Sequence, residues 1–267
     1  MSNQAFRVQG NARLSGSIQP QGAKNEALQI VSAVLLTDKK VTIRNIPDIL
    51  DIRNQIELLK GLGVKVQKIN DNDYTFQADD IDTDQLSSPE YQENAKKIRG
   101  SVMLLGPLLA RFKKAFLPKP GGDKIGRRRL DTHFLGFEKL GASFNYDENE
   151  DQFYIGAEKL HGTFILMDEI SVTGTANVLM AAVLAEGITQ IYNAACEPYL
   201  QQLCKMLNNM GARISGVGSN LLTIHGVESL GGTEHTILPD MIEIGSFIGL
   251  AAMTQSSLTI TNVSVPN

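Results

Sequence analysis

Tryptophan is absent from this chain of 267 residues, and phenylalanine, tyrosine and tryptophan together supply only 6% of it. So few aromatic rings exclude the stacking platforms that hold single-stranded nucleic acids. A formal net charge of -4 excludes the broad basic face of a general nucleic-acid binder. Cysteine is scarce: Cys196 and Cys204 occur without the Cys/His spacing of a metal site around them. They read as reduced, structural thiols, so neither a disulfide framework nor a metal is expected. Long apolar runs are missing. No stretch approaches the ~20 residues needed to cross a bilayer, and Met1 to Arg7 lacks the apolar core of a signal peptide. The expectation is a soluble cytoplasmic protein without nucleic-acid or membrane partners.

What is present is an ordinary globular composition, 42% hydrophobic and 20% charged, with one unusual loop. Pro118 to His133 holds Gly121, Gly122 and Gly126, two prolines, and the cations Lys119, Lys124, Arg127, Arg128 and Arg129. Glycine and proline mark a loop, and arginine grips phosphate or carboxylate bidentately. Two readings follow, a solvated basic loop and an anion grip; charge alone does not choose between them.

The chain is built from a repeated unit. Residues 6–19 read as two short strands around a turn. Apolar positions at Leu28, Val31, Val34 and Leu35 then follow helical spacing, with Asn25 a candidate N-cap. Val41 to Ile43 reads as a strand and Ile52 to Leu59 as a second helix. Val64 to Lys68 and Tyr74 to Gln77 form a hairpin pattern around Asn70 to Asp73. Helix followed by strand returns at Ser101 to Leu117, Ala176 to Asn193 and Ser246 to Asn262, at intervals of about 70 residues. The end of the second helix returns as Leu62-Gly63, Leu140-Gly141 and Met210-Gly211, glycine standing where a left-handed cap needs it. Three units fill roughly 23–235, and a fourth begins near Asp240 without its second helix. A half unit cannot bury its apolar face, so the chain is expected to be part of a longer protein.

These residues carry a family resemblance. Gly22-Ala23-Lys24-Asn25, Arg99-Gly100-Ser101 and Gly121-Gly122-Asp123-Lys124-Ile125-Gly126-Arg127-Arg128 resemble the UDP-N-acetylglucosamine enolpyruvyl transferases. Leu104 to Phe112, Glu197-Pro198 and Leu238-Pro239-Asp240 agree with them. The resemblance implies an α/β fold, an inside-out α/β barrel or prism, in a two-domain family whose second domain is incomplete here. Residues 1–22 and 236–267 would belong to that second domain and 23–235 would form the first. It also implies phosphoenolpyruvate and UDP-N-acetylglucosamine as partners, no cofactor, and the first committed step of peptidoglycan synthesis. The enolpyruvyl transferase acting on shikimate 3-phosphate, and a non-catalytic sugar-nucleotide-binding fragment, are the alternatives.

The resemblance assigns residues. Lys24 and Arg128 contact phosphoenolpyruvate. Asn25, Arg99, Arg129, Leu130, Asp131 and Thr132 contact the UDP-sugar. Ser171, Val172 and Thr173 precede a helix whose free N–H groups suit a diphosphate. Lys24 stands at a helix start, where the dipole disfavours a cation, which favours a functional reason. His133 has two readings, a ligand contact and a satisfied structural histidine. Two positions depart from the family pattern. Glu169 stands near a point where some members carry lysine and cannot make a lysine's phosphate contact. Asp123 stands where many members carry a reactive cysteine; a carboxylic acid with a raised pKa delivers a proton there but is a poorer nucleophile than a thiolate. The isolated chain is expected to show no turnover and at most weak sugar-nucleotide binding.

Overall fold

The computed structural model describes residues 5–118, 129–148 and 152–263. Its first strand, β1 (Ser15–Ile18), pairs in parallel with the last, β13 (Ser257–Ile260). Of the two strands expected in 6–19, only this one forms. Residues 5–14 have no regular structure, and Phe6 and Val8 meet no surface on which an alternating segment could be buried.

The first unit comprises α1 (Lys24–Ala33), β2 (Val41–Arg44), α2 (Leu50–Gly61), β3 (Lys65–Lys68) and β4 (Tyr74–Gln77). A linker helix, α3 (Pro89–Lys96), capped by Ser88, leads into the second. That unit opens with a 3-10 segment, Arg99–Leu104, before α4 (Leu105–Phe112). It continues with β5 (Lys114–Pro118), α5 (Asp131–Lys139), β6 (Ser143–Asp147) and β7 (Gln152–Gly156). The third has β8 (Phe164–Leu166), α6 (Val172–Ala182), β9 (Ile188–Tyr192), α7 (Pro198–Asn209), β10 (Arg213–Ser215) and β11 (Leu221–His225). Strand β12 (Thr233–Thr236) and helix α8 (Met241–Met253) follow.

Each unit owns one sheet, with strand orders β12-β2-β4-β3, β5-β7-β6 and β10-β11-β9-β8. Among the described residues the sheets remain separate and none closes on itself. Inside them pack α1, α4 and α6. Helix α6 carries no charged residue and buries nine of its eleven residues, as a helix enclosed on nearly every side must. The second helices, α2, α5 and α7, are amphipathic and bury one face. Close approach needs glycine: a Cβ on Gly106 of α4 would lie 2.3 Å from the carbonyl oxygen of Asn177 on α6.

The repeat is visible in the backbone. Asn45, Asn193 and Asn262 each end a strand in the left-handed region, at φ 59°, 61° and 53°, which asparagine tolerates better than most residues. Asn45 donates to Ile237 O just beyond β12, and Asn193 donates to Met167 O just beyond β8. Gly63, Gly141 and Gly211 take φ 99°, 99° and 104° after the second helices, as the repeated Leu/Met-Gly pattern predicts. Lys119, aligned with the asparagines in the sequence, lies outside the described residues.

Two chain segments join the three-unit body to β1, α8 and β13. They run side by side, Asp240 N donating to Gln21 O and Ala23 N to Leu238 O, both at 2.8 Å. Helix α8 has the most apolar composition of the α-helices among the described residues, MIEIGSFIGLAAM, yet buries none of its residues. No helix among the described residues is long and apolar enough to cross a membrane.

Candidate functional site

The first turns of α1 and α6, the Lys97–Met103 segment and the residues before α5 converge on one cavity of about 720 Å³. Its lining includes Lys24, Asn25, Arg99, Arg129, Leu130, Ser171, Val172 and Thr173. Eight of the residues assigned from sequence are therefore brought together from segments spread over about 150 residues. Asp131 and Thr132 are not part of this lining; Asp131 pairs with Arg129 and Thr132 hydrogen-bonds Asp168. Asp123 and Arg128 lie outside the described residues.

Helix α1 does not start as expected. Its N-cap is Ala23, which has no capping side chain, and Asn25 sits inside the first turn. The cap comes from across the chain: Asp240 Oδ2 accepts from Lys24 N at 3.1 Å while its Oδ1 caps α8 through Ile242 N at 2.8 Å. Freed from capping, Asn25 lines the cavity, as does Tyr199. The Lys24 ammonium pairs with Asp51 of α2, a carboxylate that offsets its unfavourable place on the dipole. Asp51 also lines the cavity and carried no motif to mark it.

Helix α6 starts earlier than its sequence pattern marks, at Val172 rather than Ala176, so Val172 and Thr173 lie in its first turn rather than ahead of it. Ser171 is the N-cap, its Oγ accepting from Gly174 N at 3.1 Å. The neighbouring free N–H groups and the dipole make this wall suitable for an anion. Glu169 also lines the cavity. Its Oε1 lies 3.3 Å from Thr132 Oγ1, whose hydroxyl it shares with Asp168 Oδ1 at 3.0 Å. Arg129 is braced by carboxylates, with 2.8 Å contacts to both Asp131 and Asp168, and its carbonyl accepts from Arg99 at 3.4 Å. The ion pairs raise the Arg129 pKa, so this guanidinium is a fixed cationic wall.

His133 resolves in favour of a buried, bonded histidine that also touches the cavity. Burial, with a smaller push from the Arg99 charge, lowers its pKa to about 4, so the ring is neutral at pH 7. Among the described residues no group of His, Cys, Asp and Glu is placed to hold a metal ion. Cys204 is buried, which pushes its thiol up to about 12, and Cys196 is exposed.

Comparison with known proteins gives this geometry a context. The family described as EPSP synthase (3-phosphoshikimate 1-carboxyvinyltransferase) matches residues 8–266. The chain belongs to this family. Within the EPSP synthase family it is 62% identical over 263 residues to a protein of Bacteroides thetaiotaomicron named UDP-N-acetylglucosamine 1-carboxyvinyltransferase. The alignment takes in 98% of this chain and 61% of that protein. A Treponema denticola protein of the same name is 52% identical over 258 residues, 97% of this chain and 59% of that one. The chain thus spans about three-fifths of the length of the curated relatives it matches. Among solved structures, the enolpyruvyl transferase NikO from Streptomyces tendae superposes with a TM-score of 0.77 at 22% identity. That match covers 90% of this chain and 56% of that one, and it shows the shared α/β fold of the EPSP synthase family.

Proposed function

We propose that this chain provides the nucleotide-sugar wall of an enzyme that transfers enolpyruvate from phosphoenolpyruvate to the 3-hydroxyl of UDP-N-acetylglucosamine. The observation that carries the reading is the convergence of Lys24, Asn25, Arg99 and the α6 N-terminus on one cavity. The 62% identity to a protein with that name supports it. We read the three buried helices and outer sheets as the inside-out prism, with 23–235 as the first domain and 1–22 and 236–267 as parts of a second. The wholly unburied α8 and the greater length of the relatives support that division.

The chemistry proposed is addition and elimination. Protonation of phosphoenolpyruvate at C3 leaves a cationic C2, which the sugar 3-oxygen attacks. The hydroxyl gives up its proton to a general base as it attacks, and the resulting tetrahedral ketal loses phosphate from C2 and a proton from C3 to form the enol ether. Lys24 and Arg128 hold the phosphate and carboxylate of phosphoenolpyruvate, and Asp123 delivers the proton as general acid. Cations and helix N–H groups aimed at the phosphates stabilise the charge that develops there. The site requires no metal or redox group for these steps. With aspartate rather than cysteine at 123, the site lacks the thiolate that an epoxide such as fosfomycin alkylates. The product places the reaction at the committed step of peptidoglycan synthesis, among water-soluble cytoplasmic metabolites.

Titration with UDP-N-acetylglucosamine and with shikimate 3-phosphate, each with phosphoenolpyruvate present, tests the assignment. Binding of the nucleotide sugar alone is expected. Preference for shikimate 3-phosphate would transfer the assignment to the other branch of the family.

A further inference from the structure

Four buried side-chain atoms lack a hydrogen-bond partner among the described residues: Gln29 Oε1, Gln55 Oε1, Thr189 Oγ1 and Glu197 Oε2. Buried polar groups are almost always paired, so each needs a reason. Gln55 is anchored at its other end, its Nε2 donating to Ser32 Oγ at 2.8 Å. Thr189 and Glu197 stand away from the cavity. Gln29 differs from all three. It is 1% exposed, its Oε1 is unpartnered, and it lines the cavity.

Its position is informative. Gln29 follows Asn25 by one helical turn and so shares its face of α1. A helix interior surrounded by Ala27, Ile30 and Val31, all fully buried, is a place where leucine or methionine would cost nothing. An amide oxygen kept there without a partner carries an unmet desolvation cost. The side chain reaches the cavity wall, so a turn of the amide about its last, broadly permissive bond would bring that oxygen to a ligand there and remove the cost.

The chemistry of the group selects the ligand portion. Phosphate oxygens are acceptors only, and cations and free helix N–H groups already serve them. A neutral amide both donates and accepts, which matches hydroxyl and acetamido groups. We propose that the Gln29 side-chain amide is a specificity-determining contact for the sugar portion of the bound nucleotide sugar. This rests on the nucleotide-sugar reading of the cavity.

The test is an NMR-monitored titration of the full chain, wild type and Gln29→Met, with UDP-N-acetylglucosamine and with UDP. Losing one buried hydrogen bond to the sugar is expected to weaken UDP-N-acetylglucosamine binding about five- to tenfold in the variant. UDP binding should stay within about twofold, since UDP has no sugar for the amide to touch. The Tm of the ligand-free variant should equal or exceed that of wild type, because an unpaired amide is removed. Gln29→Leu serves as a second apolar variant if methionine disturbs the fold. Equal losses for both ligands, no loss for either, or a clear fall in Tm would each overturn the proposal while leaving the site reading intact. Wild type that binds neither ligand would overturn both.

Discussion

Asn177 Nδ2 donates to His133 Nδ1 at 2.9 Å, and this contact fixes which nitrogen of the ring carries its proton. The amide cannot be turned around. Its oxygen accepts from Gly106 N at 2.8 Å, and its nitrogen also donates to Val102 O at 2.7 Å. Nδ1 is therefore the acceptor, and Nε2–H points to Thr173 Oγ1 at 3.3 Å. One asparagine thus ties α4 and α6 to the ring that supports the cavity-lining Thr173.

The lowered pKa of His133 predicts an acid-sensitive fold. Its folded value of about 4 lies below the ordinary 6.5. Its contribution is complete above pH 6.5 and is lost as pH falls through 6.5 toward 4, where the unfolded chain takes up the proton. The full effect is roughly 3 kcal/mol. Urea unfolding across this range should show the loss. In His133→Asn the stability is expected to be lower at pH 7 but flatter with pH. An NMR titration showing His133 protonated near pH 6 would contradict this.

Gly106→Ala should unsettle the same network from the other side. The new Cβ would meet Asn177 O at 2.3 Å and Asn177 Oδ1 at 2.7 Å, so α4 and α6 must separate. A loss of about 2–4 kcal/mol is expected from denaturant unfolding. The His133 ring resonances should shift in the same variant, because its donor has moved.

Glu26 and His235 form a buried pair that joins α1 to β12. His235 Nε2 lies 2.8 Å from Glu26 Oε1, and Leu238 N donates to Oε2 at 3.2 Å. The antiparallel bridge between Gly22 and Pro239 stops there because the chain turns into α1, and the carboxylate supplies the acceptor that the backbone no longer offers. Burial raises the Glu26 pKa, and the His235 hydrogen bond opposes that rise. His235→Leu removes the partner from a fully buried carboxyl and should cost about 3 kcal/mol. Glu26→Gln keeps an acceptor for Leu238 and should cost about 1 kcal/mol. The reverse order in chemical denaturation would show that the pair is not held as described.

Asp123 carries a chemical prediction. Incubation of the full-length protein, of which this chain is expected to be a part, with fosfomycin should leave position 123 unmodified. Asp123→Cys should acquire a covalent adduct when UDP-N-acetylglucosamine is present. An adduct on the wild-type protein would remove the argument from the carboxylate, and an inert cysteine variant would show that the loop does not present position 123 to the site.

The features legible in the sequence were those made by a few neighbouring residues. Gly63, Gly141 and Gly211 end helices because only the adjacent turn decides whether a left-handed residue is needed. The start of α1 was misread for the opposite reason. Asn25 has the chemistry of a cap, but Asp240 occupies that role from more than 200 residues away. Strands β8 and β12 were missed because three or four residues show no clear period; pairing with β9 and β2 makes them strands.

The site divides along the same line. The residue types at Lys24, Arg99 and Ser171 to Thr173 were in the sequence, and the family resemblance gave them roles. Their convergence on one cavity is a tertiary fact, as are the partners Asp51 and Asp168 that fix the charge on its walls. Gln29 shows the limit most clearly. In the sequence it is one polar residue in a helical pattern, and nothing local distinguishes an exposed glutamine from a buried one. Sequence alone determined the repeat, the helix ends and the chemistry available, because those depend on short-range geometry and side-chain type. Only the folded chain decided which polar groups are paired and which is left open, because pairing requires knowing everything that surrounds an atom.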